Sequence, residues 1–119
     1  MGQVLIHNTR GMDNVERASL AFVTANIALS AGQEATVLLT IDGVCVATKG
    51  YADGLQADGL PPLSELISQF VRGQGRLWVC GACAKPRGIG QEDLMEGASI
   101  IGAATAVEAL VNGARSLSF

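Results

Sequence analysis

Short apolar runs recur along this chain, and they are too uniformly apolar to lie on a surface. Gln3 to His7 reads QVLIH, Ala35 to Ile41 reads ATVLLTI, and Arg76 to Cys80 reads RLWVC. A strand with one wet face alternates apolar and polar residues, whereas these runs carry apolar side chains on both faces. Strands of that kind belong inside a sheet covered on both sides. Two further short segments, Ala98 to Ile101 and Arg115 to Phe119, bring the expected strands to five.

Between the strands the spacing turns helical. Val15, Ala18, Phe22, Ala25 and Leu29 recur at intervals of three and four. Asp13, three residues before Glu16, forms a carboxylate version of the capping box and marks the expected start; Gly32 marks the end. Leu20, Val23 and Ile27 make a second apolar stripe, so this helix is expected to be covered on two sides. Asp42-Gly43 breaks the second strand, with Asp42 read as a helix cap and Val44 to Lys49 as a short helix. The doubled Ala-Asp-Gly-Leu at Ala52 and Ala57 reads as two turns, Asp53 included, with no calcium-loop spacing. Pro61 and Pro62 suit the first turn of a helix from Leu63 to about Arg72, closed by Gly73 and Gly75. A last helix is expected from Ala103 to Val111. Strands alternating with helices predict an α/β fold with a mostly parallel sheet, in one domain over residues 1–119. Ligands of such sheets bind beyond the C-terminal ends of the strands, where His7, Asp42 and Cys80 fall.

Composition narrows the class. Of 119 residues, 49% are hydrophobic and only 16% charged, so copies of the chain are expected to cover some apolar surface. The net charge of −3, with no basic cluster, argues against a nucleic-acid partner. The most apolar tract, Ala98 to Val111, carries Ser99, Thr105 and Glu108 and is too short to span a bilayer, so no membrane partner is expected. Met1 to His7 lacks the basic and long apolar segments of an export signal. Three cysteines, an odd number, do not make a secreted disulfide framework. A soluble, cytoplasmic protein is expected.

The segment WVCGAC holds the chemistry. A thioredoxin-type site follows an early strand and faces a much later cis-proline; here only Pro86 follows, close by, so that architecture is not expected. A disulfide within the Cys80–Cys83 pair stays open. Zinc would need two more ligands, and Cys45 and His7 offer no ligand spacing, so no metal site is expected. Both cysteines could also be small buried hydrophobes. Against that, Cys80 ends a strand, where the free amides of Gly81 and Ala82 favour an anion, and Lys85 and Arg87 add positive charge. These features lower a thiol pKa and make a nucleophile. His7, the sole histidine, is read as a pocket residue rather than a base, and Cys45, between Val44 and Val46, as core. RGIGQED lacks the third glycine of a dinucleotide fingerprint and no P-loop is present, so no cofactor is expected.

The chain as a whole resembles the DsrE family of small sulfur-relay proteins. QVLIHNTRGMDNVERASLAFVTANIALSAGQEATVLLTIDGV is similar to that family's first strand, long helix, second strand and turn. LWVCGACAKPRGI is similar to the strand leading to its reactive cysteine. The resemblance implies a three-layer α/β/α sandwich around a parallel sheet, and a homotrimer or homohexamer. It gives Cys80 the place of the cysteine that accepts sulfur as a persulfide and passes it from a donor to an acceptor protein, in tRNA thiolation or sulfur oxidation. Cys83 is then an addition some relatives carry. Three readings stand at this point: a sulfur carrier on Cys80, a thiol redox protein using Cys80 and Cys83, and a non-catalytic oligomeric module binding a small ligand near His7, Asp42 and Cys80.

Overall fold

The computed structural model describes residues 2–119. Five strands form one sheet: β1 (Gln3–Asn8), β2 (Glu34–Leu39), β3 (Arg76–Cys80), β4 (Ala98–Ile101) and β5 (Arg115–Ser118). Their order is β4-β3-β2-β1-β5, and every pairing is parallel. The α-helices are α1 (Val15–Ser30), α2 (Leu63–Arg72), α3 (Gly81–Ala84) and α4 (Ala103–Val111). From β1 to β4 the chain steps one strand at a time in one direction, so right-handed crossovers put α1 and α2 on the same face. The connection from β4 to β5 runs back across the whole sheet, and the same rule puts α4 on the opposite face. The result is the expected α/β architecture in three layers.

The face under α1 and α2 holds the core. Ile6, Val37 and Leu77 stand in register across β1, β2 and β3, with Leu39 and Val79 two residues further on, and all are buried. Phe22 of α1 meets Phe70 of α2 edge-on, with ring centroids 5.8 Å apart. Asn26 Nδ2 donates to the Leu66 carbonyl at 3.1 Å and ties the two helices together. The other face is thinly covered: α4 buries none of its residues, and His7, Leu38 and Trp78 are half-buried. Among the described residues no helix is long and apolar enough to cross a membrane.

Three local expectations are corrected. The capping box of Asp13 and Glu16 does not form, because a 3-10 turn (Met12–Asn14) precedes α1 and Asn14 takes the cap, accepting from the Arg17 amide at 3.0 Å. The Asp13 carboxylate instead accepts from the Gly11 amide at 2.8 Å and pairs with Arg10. Within the chain α1 is covered on one side, and Ile27 of the second stripe is 63% exposed, which leaves the expected second cover to a copy of the chain. β2 stops at Leu39 rather than Ile41. Ile41 takes a left-handed φ of 55°, rare for a β-branched residue, and opens a 3-10 segment (Ile41–Ala47) where a short helix from Val44 was expected. Gly43 permits that bend, since a Cβ there would stand 2.3 Å from the Asn8 carbonyl oxygen.

Candidate functional site at the C-terminal edge of the sheet

Cys80 is the last residue of β3 and the residue that caps α3, a single turn carrying Gly81, Ala82 and Cys83. The strand ends there because Gly81 begins a helical turn, and the Lys85 amide closes it on the Gly81 carbonyl. Cys80 and Cys83 are thus one turn apart on the same short element. Both are half-buried, and all three cysteines of the chain are free thiols.

The positive charge expected near the thiols is largely committed elsewhere. Arg87 donates from Nη2 to the Asp42 carboxylate at 2.9 Å and from Nη1 to the Cys83 carbonyl at 3.1 Å. Asp42 is therefore an ion-pair partner and not the expected helix cap; Thr40 occupies the cap position of the 3-10 segment. The pair fastens that segment to the turn after β3, and an ion pair so placed offers a weaker field to Cys80 than a free guanidinium would. Lys85 is exposed and makes no ion pair among the described residues.

Cys45 lies in the 3-10 segment, half-buried against the edge of the core rather than inside it. Burial pushes its thiol up from the ordinary value of 9.0, and the nearby Arg87 charge opposes that rise. His7 reaches neither cysteine of the motif. It is in register with Leu38, and Leu38 with Trp78, which sets it two strands from β3, about 10 Å at ordinary strand spacing. Its Nε2 instead meets the Thr40 hydroxyl at 2.6 Å, and burial lowers its pKa from 6.5.

The site thus splits into two neighbouring groups: Cys80 and Cys83 with the Asp42–Arg87 clamp, and His7 with Thr40. Among the described residues no three His, Cys, Asp or Glu side chains converge to hold a metal ion. A surface depression of about 430 Å³, floored by Ile67, Val71 and Met95, contains none of these residues.

The sequence profile of the DsrE/DsrF-like family matches residues 2–119. The chain belongs to the DsrE/DsrF-like family. It is 34% identical over 103 residues to the uncharacterized protein MJ0760 of Methanocaldococcus jannaschii, covering 87% of this chain but 38% of that protein. To the uncharacterized protein MK0008 of Methanopyrus kandleri it is 35% identical over 85 residues, 71% of this chain and 67% of the other. The fold matches the crystal structure of the ychN protein from E. coli with a TM-score of 0.83 at 15% identity, each chain covered in full. It also matches the MTH1491 protein from Methanobacterium thermoautotrophicum with a TM-score of 0.79 at 16% identity, again over both full chains. At such identities these two structures speak to the fold alone. They agree with the DsrE-like sandwich read from the sequence, and the family is one associated with sulfur relay.

Thr40 was missed by sequence reasoning, which placed it inside an expected strand. Alternation from Thr36 and Leu38 would have put it on the face of His7, but only the register brings the two together.

Proposed function

We propose that this protein carries sulfane sulfur as a persulfide on Cys80 and hands it to a partner protein, acting as a homotrimer or homohexamer of one-domain chains in the cytoplasm. The observation that supports it most is the placement of Cys80 at the C-terminal end of an interior strand, half-buried, at the cap position of a new turn. In the reaction, the Cys80 thiolate attacks the outer sulfur of a donor persulfide. The donor's S–S bond breaks, its thiolate leaves, and Cys80 holds the sulfane sulfur. An acceptor thiolate then attacks that outer sulfur and releases the Cys80 thiolate, so no external oxidant is consumed. Gly81 and Ala82 follow the anion in the turn, and Lys85 and Arg87 supply the positive charge of this segment, Arg87 tempered by Asp42. A reducing compartment keeps such a thiol unpaired.

The nearness of Cys83 favours a second reading, in which the two thiols cycle through a disulfide. Mass analysis after incubation with a polysulfide donor separates the two. Gain of one sulfur on Cys80 supports the carrier; loss of two hydrogens supports redox cycling; no change supports a ligand-binding module. On the carrier reading Cys83→Ser still loads and holds its sulfur longer, because Cys83 no longer attacks the inner sulfur, expels sulfide and closes a disulfide. A Cys83→Ser protein that takes up no sulfur ends the carrier reading.

A further inference from the structure

We infer that Thr40 and His7 form a proton relay serving Cys80, with Thr40 beside the thiol and His7 as the terminal acceptor. The inference rests on the reading of Cys80 as the working thiol. The last pair of the β2–β3 ladder is Leu39 with Val79. Thr40 keeps an extended backbone, φ −132° and ψ 164°, and its amide still bonds to the Asn8 carbonyl at 3.2 Å. One further step along both chains therefore sets Thr40 next to Cys80, about 5 Å away across the sheet and on the same face. From the other side the Thr40 hydroxyl meets His7 Nε2 at 2.6 Å. A hydroxyl both donates and accepts, so it can take a proton from one neighbour while giving one to the next.

The transfer balances without a co-reactant. The S–H proton of Cys80 passes to Thr40 Oγ1 as the hydroxyl proton passes to His7 Nε2, leaving a thiolate and an imidazolium. This requires His7 to be neutral with its proton on Nδ1, and the burial that lowers its pKa favours the neutral ring. Afterwards the Thr40 hydroxyl points its proton at the thiolate and stabilises it. His7 thus acts on the sulfur only through Thr40 and is a positioning residue. The charged and titratable groups on the surrounding elements are Asp42 and Cys45 after β2, Arg76 on β3, Cys83, Lys85 and Arg87 after β3, Arg10 after β1, Arg115 on β5 and Glu108 on α4. Of these, Asp42 is paired with Arg87, so its carboxylate is not free to serve as the base, and the guanidinium groups have no proton-accepting site.

The test is the pH profile of Cys80 alkylation by iodoacetamide, resolved by peptide mass, in the full chain. Near neutral pH, Thr40→Val and His7→Gln should each slow Cys80 alkylation about tenfold. Thr40→Ser, which keeps the hydroxyl, should stay within about twofold of the parent. At about pH 10 all four proteins should converge, because hydroxide then removes the proton unaided. Equal loss at both pH values in Thr40→Val, or no loss in His7→Gln, overturns the relay. Polysulfide loading of the parent protein is read separately: failure there removes the carrier reading, while the alkylation profile still decides the relay.

Discussion

On the side of α1 and α2, Ile6, Val37, Leu39, Leu77 and Val79 join Phe22 and Phe70 in one buried cluster. On the side of α4, the helix buries nothing, and Val107, Leu110 and Val111 are all open, Val111 at 78%. Both faces belong to the same five strands, so the difference comes from what crosses them. Two helices in contact close one face, whereas a single nine-residue helix spans the other. A face that one short helix cannot close is where copies of the chain are expected to meet, and it is also the face that carries His7, Thr40 and Cys80 by register.

The contrast is broken first by substitution in the closed face. Phe22→Ala should cost about 3–5 kcal/mol, since it removes a fully buried ring and leaves a cavity. Val111→Ser should move the urea midpoint of a dilute, unassembled sample hardly at all. Similar losses for both would mean that α4 is as integral as α1.

Charge on the open surfaces comes next. Val111→Glu and Ile27→Glu, on the two sides of the sheet, should each lower the mass seen by light scattering, because burying an uncompensated carboxylate in a subunit contact costs several kcal/mol. An unchanged mass for both, or a parent that is already a 12.2 kDa monomer, removes the reading of copies covering these surfaces. Gly43→Ala should cost about 1–3 kcal/mol, as a Cβ cannot share space with the Asn8 carbonyl without moving β1 or the 3-10 segment. Because that shift also displaces Thr40 and Asp42, the stability loss should come with slower Cys80 alkylation; stability lost with alkylation intact would separate the bend from the site.

How much of this was legible depended on range. The strands were legible because RLWVC and its kin are apolar on both faces, and the end of β3 at Cys80 was legible because Gly81 follows it. The bounds of α2 and α4 came from proline, glycine and apolar spacing, all local signals. Asp42 misled because a carboxylate after a strand resembles a cap, while its partner Arg87 stands 45 residues on. Asp13 misled because a 3-10 turn shifted the start of α1 and gave the cap to Asn14. No local signal gives a β-branched Ile41 a positive φ; that follows from the fit of Gly43 against β1.

The smallest effect is a pH slope in stability, and it reads the open face directly. His7 titrates near 6.5 in the unfolded chain and lower in the folded one, where partial burial disfavours its charge. Between those values the unfolded chain holds the proton more often, so stability falls as pH drops below about 6.5 and levels off below the folded value. His7→Gln keeps a polar partner for Thr40 and should remove the slope in this window. Asp13 does not confuse the reading: hydrogen bonds from the Gly11 amide and Arg10 hold its carboxyl below 3.8, so its contribution is lost only under stronger acid. If copies of the chain cover the α4 face, His7 is more deeply buried in the assembly, and the slope should steepen as protein concentration rises. A slope that is the same in dilute and concentrated samples would mean that this face stays open and that the chain associates elsewhere.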